Sequence, residues 1–535
     1  MNGYLYEVLT IIIANNNLNL VMKKINILLI SSVFVSLSLF GCNNGNNIVS
    51  SSSSSSEEFI SSSESILEPS SQDEENSSSG ETPSSSSSTS EARYNLNPED
   101  ESLYDNQHYL DYVGDIQDVW DDYRGDNITI AVIDSGFDIN HSEFKFADGS
   151  SKISDLSASF AYNGSSVIKN VGKNNVVITD GDSHGTICAT VAAGSVTGYG
   201  TVGIAPNAKL LLLKTDKTPK AICESFKYAA DNGAKVITIS IGSYNGFVGD
   251  LVNDGSDLTT VFESSLKYAH DKGVVICSAA GNGGLSGRQN EYTYPGAASY
   301  VIGAGGLSDK SRTSIWSGSS YNSSKIYQFC DVFAPADNIY SGCSYYDGGQ
   351  VYYSGGFNGT SFASPIIAGA AALYFDKYPN ASNVDFERAL FNTCTEVYPI
   401  ENSGYGAIHI KNLMNYQIPS DAIKTIYFKD ASWWASDNAY TSIYSWNYAL
   451  TNETNEWPGL KMERVESNLY RFDLDTSIYE RIIFVRTSIN NEDWGAQTIT
   501  LEASNFKNYN CYSISSTTAK WVNDGNYVTG TFINI

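Results

Sequence analysis

Three short segments of this chain carry side chains that, brought together, perform nucleophilic chemistry. They are Ile130-Ala131-Val132-Ile133-Asp134-Ser135-Gly136, Asp182-Ser183-His184-Gly185-Thr186 and Gly359-Thr360-Ser361-Phe362-Ala363-Ser364-Pro365. A serine hydroxyl is a weak nucleophile until a neighbouring base takes its proton. Ser361 is the candidate nucleophile. His184 is the candidate base, and afterwards the acid that protonates the leaving group. Asp134 is the candidate third member, holding the imidazole in one tautomer and stabilising the imidazolium.

The surrounding residues say what must position these groups. Ile128-Thr129-Ile130-Ala131-Val132-Ile133 is a short apolar, β-branched run. It reads as a buried parallel strand ending at Asp134. Carboxyl ends of such strands are where functional groups gather in α/β sheets. Ile187-Cys188-Ala189-Thr190-Val191-Ala192-Ala193 reads as a buried helix of small residues opening just after His184. Ile366-Ile367-Ala368-Gly369-Ala370-Ala371-Ala372-Leu373 reads as a second apolar helix. Ser361 at its start lies near the positive end of the helix dipole. Pro365 falls in the first turns, where proline is best tolerated.

The order Asp…His…Ser, together with Gly-Thr-Ser-x-Ala-Ser-Pro, resembles the subtilisin-like serine peptidases over about residues 105–415. The resemblance implies an α/β fold, with a mostly parallel sheet flanked by helices, and hydrolysis of peptide bonds through an acyl-enzyme. It makes Asn282, in Ile276-Cys277-Ser278-Ala279-Ala280-Gly281-Asn282-Gly283, an oxyanion donor beside the Ser361 backbone N–H. It makes Ser240, Ile241 and Gly242 one wall of the substrate pocket, and Ala279, Ala280 and Gly281 the other. An extended peptide would add as a strand between them. Small residues on both walls imply an open pocket for a large apolar side chain. Cys188 is similar to the cysteine of the family's thiol-containing branch, and reads as a packing residue. The chemistry requires no cofactor. Family members carry structural calcium, and Glu143 falls near a ligand position. Gly194-Ser195-Val196-Thr197-Gly198-Tyr199-Gly200 brings no carboxylate, however. Calcium takes six to eight oxygens. Calcium is therefore an option without a recognisable ligand set, and no metal ligands are assigned.

The amino-terminal region addresses location. Met22-Lys23-Lys24 precedes an apolar run from Ile25 to Phe40, then Gly41-Cys42. This is the pattern of a secretory signal. Leu39-Phe40-Gly41-Cys42 resembles the bacterial lipobox, which implies lipidation of Cys42 and attachment to the extracellular face of the cell membrane. The alternative is a secreted protein. Residues 1–21 read as an upstream extension. Residues 43–100 are rich in Ser and Glu and poor in aromatics, so they cannot bury enough apolar surface to order themselves. They read as a flexible tether, with no room for a globular propeptide. The formal charge is −27 with no basic patch, which argues against nucleic acid as a partner. The chain has eight cysteines, so lipidation of Cys42 leaves an odd number. Cys330 and Cys343 are a candidate pair.

The peptidase-like pattern spans residues 101–416. Residues 417–535 shift to aromatic, alternating segments such as Thr425-Ile426-Tyr427-Phe428 and Arg481-Ile482-Ile483-Phe484-Val485, the pattern of an all-β sandwich. Roughly residues 423–502, with Trp457-Pro458-Gly459-Leu460-Lys461-Met462, resemble a starch-binding type of carbohydrate-binding module. The resemblance implies sugar stacking on Tyr444 and Trp446, with Trp434 and Gln497 next, and α-glucan or another glycan as a partner beside polypeptide substrates. Two readings follow. One is a cell-surface serine endopeptidase with a glycan-targeting module. The alternative is a non-catalytic glycan-binding protein that uses the peptidase fold as scaffold.

Overall fold

The computed structural model describes residues 96–535 apart from 179–182, 245–257, 292, 309–310, 324–328, 345–351, 418–421, 432, 435–438, 448–458, 488–493, 516–519 and 523–526. Cys42, the apolar run before it, the Ser-rich segment and Trp457-Pro458 lie outside the described residues. Among the described residues no helix is long and apolar enough to cross a membrane.

The central element is a ten-stranded sheet. In chain order its strands are β1 (Thr129–Asp134), β2 (Ala158–Tyr162), β3 (Val167–Val171), β4 (Lys209–Thr215), β5 (Val236–Ile239), β6 (Val275–Ala279), β7 (Ile302–Ser308), β8 (Ser311–Ile315), β9 (Val332–Pro335) and, after the hairpin β10 (Ile339–Cys343)–β11 (Tyr352–Phe357), β12 (Gly406–Ala407). They lie in the order β12-β9-β7-β6-β5-β1-β4-β2-β3, with β8 on β7. All pairs from β12 to β2 are parallel, and β3 and β8 are antiparallel. The order runs outward in both directions from β1, which makes the end of β1 the switch point where α/β sheets place their sites.

The central strands are apolar on both faces. Ile130 and Val132 of β1 and Leu210 and Leu212 of β4 join one core. Ala131, Ile133, Leu211 and Leu213, alternating with them, join the other. Helices α1 (His184–Ala193) and α4 (Thr360–Lys377) cover the first face. Helices α2 (Pro219–Asp231) and α3 (Leu258–Asp271) cover the second. Nine residues of α1, Gly185 to Ala193, are buried, as a helix that is apolar all round requires. Gly185 is forced by close approach: a Cβ there would lie 2.4 Å from the Gly136 carbonyl oxygen. This lets His184 sit directly against the end of β1.

Residues beyond 421 form two further sheets. One has the order β16-β17-β13-β21-β24, from β13 (Ile423–Lys429), β16 (Glu463–Glu466), β17 (Leu469–Asp475), β21 (Cys511–Ser513) and β24 (Thr531–Ile533). The other has the order β15-β14-β18-β19-β23-β22, with β20 (Leu501–Glu502) on β18. Its strands are β14 (Tyr440–Trp446), β15 (Leu460–Lys461), β18 (Arg481–Thr487), β19 (Trp494–Thr498), β22 (Lys520–Val522) and β23 (Tyr527–Thr529). Their inner faces meet in one core, where the rings of Phe428 and Phe484 stack at 4.6 Å. Residues after 503 complete both sheets.

Polar contacts join the two units. Arg388 of helix α5 (Asn383–Thr393) bonds Asp475 at 2.7 Å and Asp385 at 3.0 Å. The Tyr405 hydroxyl donates to Glu480 at 2.6 Å, and the Asn392 amide to the Ser477 carbonyl at 3.2 Å. The seven described cysteines are all free. Cys330 and Cys343 are therefore not a disulfide: Cys330 packs beside Phe333, while Cys343 belongs to the main core.

Candidate active site

Asp134 is the last residue of β1 and 1% exposed. Its carboxylate accepts from His184 Nδ1, at 2.9 Å for Oδ2 and 3.0 Å for Oδ1. It also accepts from the Ser135 N–H at 2.7 Å and the Ser135 hydroxyl at 3.2 Å. Burial acts to raise this carboxyl's pKa. The His184 charge and the bonds from His184 and Ser135 outweigh it and hold the group below its ordinary value. For His184 burial opposes the charged form, yet the adjacent Asp134 carboxylate raises the imidazole well above its usual 6.5.

Ser361 is the second residue of α4. Four residues on, Pro365 has no N–H to give the Ser361 carbonyl its helical bond. That carbonyl instead accepts from the Ser240 hydroxyl at 2.7 Å and the Cys188 thiol at 3.4 Å. The same thiol lies 3.9 Å from His184 Nδ1, and the His184 and Phe362 rings are 6.2 Å apart. Cys188 thus packs as expected, but between the serine's backbone and the imidazole. Burial raises its pKa and keeps it a thiol.

Asn282 follows β6 and faces the start of α4. Its Oδ1 accepts from the Thr360 N–H at 2.9 Å and the Thr360 hydroxyl at 3.0 Å, and the Gly281 N–H donates to that hydroxyl at 3.1 Å. With the oxygen committed, the NH₂ end is turned to the segment that carries Ser361. A Cβ on Gly359 would lie 3.4 Å from it. Ser240, Ile241 and Gly242 follow β5; Ala279 closes β6, and Ala280 and Gly281 follow it. Ser240 reaches the Ser361 carbonyl and Gly281 the Thr360 hydroxyl, so both segments border the start of α4. Ala280 is fully buried and its side chain joins the core behind the wall.

Glu143 is fully buried, and burial pushes its pKa up to about 8. Its Oε1 accepts from the Thr201 N–H at 2.9 Å and the Thr201 hydroxyl at 3.2 Å. Glu101, which the sequence reading missed, accepts from the Thr197 and Gly198 N–H groups at 2.5 and 2.6 Å. The buried Lys152 ammonium donates to the carbonyls of Ala193 and, at 2.7 Å, Pro206. The 194–201 loop therefore offers these acids N–H donors, and two nearby carbonyls already hold an ammonium. Glu101 Oε2, Glu143 Oε2 and the Ser195 hydroxyl are buried without a hydrogen-bond partner, but these three oxygens fall short of the six to eight that calcium takes. Among the described residues, the one cluster of three metal-binding side-chain types is Asp134, His184 and Cys188, which is the site itself.

On the sandwich, Tyr444 and Trp446 alternate along β14 on one face, with rings 5.3 Å apart, both half-buried. Trp434 does not join them. It is fully buried in the sandwich core, its indole N–H donating to the Thr441 hydroxyl at 3.0 Å. Gln497 pairs with Val485 on the Tyr444 side of the sheet but is also fully buried. Both residues are thereby removed from an exposed sugar platform. A pattern of aromatics does not reveal which ring the fold turns inward.

Residues 125–407 match the subtilase family (Peptidase_S8). Subtilisin DY of Bacillus licheniformis is 32% identical over 296 residues, which are 54% of this chain and 91% of that protein. Subtilisin NAT of Bacillus subtilis subsp. natto is 30% identical over 294 residues, 54% of this chain and 66% of that protein. The crystal structure of fervidolysin from Fervidobacterium pennivorans, a keratinolytic enzyme related to subtilisin, has the same fold. Its TM-score is 0.50 at 20% identity, covering 73% of this chain and 57% of that one. The chain belongs to the subtilase family, and with it to the serine peptidases.

Replacing Asp134 by Asn should lower the His184 pKa, because it removes the charge that outweighs burial. The imidazole should then lose its proton at a lower pH than in the parent, measured by NMR titration of the ring proton. An unchanged titration would show that Asp134 does not set the state of His184.

Proposed function

We propose that this protein is a cell-surface serine endopeptidase. Ser361 attacks the peptide carbonyl while His184 Nε2 takes its proton, Nδ1 being committed to Asp134. The carbonyl oxygen becomes an oxyanion held by the Asn282 NH₂ and the Ser361 backbone N–H. His184 then protonates the leaving amine, and water repeats the cycle on the acyl-enzyme. The observation that carries this is the Asp134–His184 pair, buried at a strand end, beside a helix start anchored through the Ser361 carbonyl. The lipobox-like Leu39-Phe40-Gly41-Cys42 supports placement on the extracellular face of the cell membrane. A fluorophosphonate probe applied to intact cells making the full chain should label a membrane-associated band. Ser361→Ala should abolish the label, and Asn282→Ala should lower turnover by about 10²–10³. A parent protein that is folded and unlabelled would sink the proposal. Activity should rise with pH through a pKa above 6.5, since the base must be neutral and Asp134 favours its charged form.

We infer further that the 194–201 loop is held without calcium. The support is the set of N–H donors facing Glu101 and Glu143 and the Lys152 ammonium on the flanking carbonyls. The thermal midpoint should be the same in EDTA and in about 10 mM calcium. Occupancy of a millimolar site would raise it by roughly a few degrees.

A glycan role for the sandwich is supported by the Tyr444–Trp446 pair on one sheet face. The full chain should be retained on insoluble α-glucan, and Trp446→Ala should lose retention without changing the unfolding midpoint. Equal retention of the two proteins would remove the pair from any such role.

A further inference from the structure

The two pocket walls end in glycines, Gly242 and Gly281, and a sequence reading of such walls gives an open slot. The structure puts something in that slot. Thr293 stands in a two-residue strand, Thr293–Tyr294, that pairs antiparallel with Ser243–Tyr244 directly after the first wall. Its methyl carbon is 2.5 Å from where a Cβ on Gly281 would be, and its own Cβ is 3.6 Å from where a Cβ on Gly242 would be. The side chain therefore bonds one wall and faces the open side of the glycine in the other, and it is 5% exposed. Its hydroxyl donates to the Ala280 carbonyl at 2.6 Å and lies 3.2 Å from that of Ala279. A β-branched side chain has few rotamers, and this one is pinned by its hydroxyl. It cannot swing aside without giving up a buried hydrogen bond.

The position of the walls says which substrate residue meets it. Ser240 of one wall bonds the Ser361 carbonyl, and Asn282 follows Gly281 of the other without a break. A side chain between these walls belongs to the residue whose carbonyl Ser361 attacks. We propose that Thr293 forms the floor of this pocket and restricts cleavage to bonds that follow small residues such as alanine or serine. A leucine or phenylalanine would have to occupy the volume the Thr293 methyl fills, in an interior packed too densely to yield. This rests on the peptidase reading above, and it replaces the large apolar preference expected from the walls alone.

The test is a set of chromogenic tetrapeptide amides identical except at the residue before the scissile bond, given to the full chain with fluorophosphonate labelling in parallel. Cleavage after alanine should exceed cleavage after phenylalanine by about tenfold or more in kcat/KM. Thr293→Gly should reverse the ratio. Thr293→Ser, which keeps the hydroxyl bond to Ala280 and loses only the methyl, should shift it in the same direction and guards against a variant that fails to fold. A labelled enzyme that prefers phenylalanine, or a ratio unmoved in both variants, would overturn the assignment of Thr293 alone. A protein that neither labels nor cleaves any amide would overturn this inference and the peptidase reading together.

Discussion

The site depends on keeping a carboxylate charged where almost no water reaches it. Asp134 ends a strand that is apolar on both faces, and desolvation there opposes ionisation. Three donors reverse that balance: the His184 ring, the Ser135 N–H and the Ser135 hydroxyl. Each is available because of where the backbone goes next. The chain turns at Ser135 as β1 ends. Helix α1 can begin with its imidazole against the carboxylate because Gly185 has no Cβ to strike Gly136. The small-residue composition of α1 has the same cause, since a bulkier helix would stand off from the sheet and take His184 with it.

A second constraint comes from a missing hydrogen. Pro365 removes the donor that the Ser361 carbonyl would use in an uninterrupted helix. A carbonyl left bare at a half-buried helix start is costly, so it must find partners elsewhere. It finds Ser240 at the end of β5 and Cys188 on α1. These elements also carry the proposed pocket wall and His184, the proposed base. The proline therefore does more than fit the first turns of α4: by leaving an acceptor open, it ties the Ser361 backbone to β5 and α1. Thr360 is the companion device on the other side, its N–H and hydroxyl holding the Asn282 side-chain oxygen against the start of α4.

What the sequence disclosed, and what it hid, follows from the range of the interactions. Asp134, His184, Ser361 and Asn282 sit in local motifs, and the strands and helices that hold them are uniform apolar runs. Both features were readable residue by residue. Thr293 was not, because it reaches the pocket by pairing with a strand about fifty residues earlier, and an isolated threonine carries no periodic signal. Glu101 escaped for the same reason: its partners, Thr197 and Gly198, are nearly a hundred residues away. The aromatic residues of the sandwich were legible as β-strand formers. Alternation fixes which residues share a face but not which face is covered, so Trp434 went inward while Tyr444 and Trp446 did not.

The join between the two units has a different character from either core. Each core is apolar and belongs to one unit. Where they meet, the contacts are an arginine between two aspartates, a tyrosine on a glutamate and an amide on a carbonyl. They surround a cavity of about 300 Å³ lined by Arg388, Asn392, Tyr405, Glu480 and Lys507. Such a surface resembles the polar interfaces between domains of one chain rather than an obligate core. Its directional bonds nevertheless fix an angle. The Arg388 side chain is 9% exposed and takes one carboxylate from its own helix and one from the sandwich. Separation would break the Asp475 bond and open the Arg388 guanidinium to water, so the pair contributes direction more than net stability. A join of this kind holds the sandwich in one orientation on the peptidase unit without making either core depend on the other.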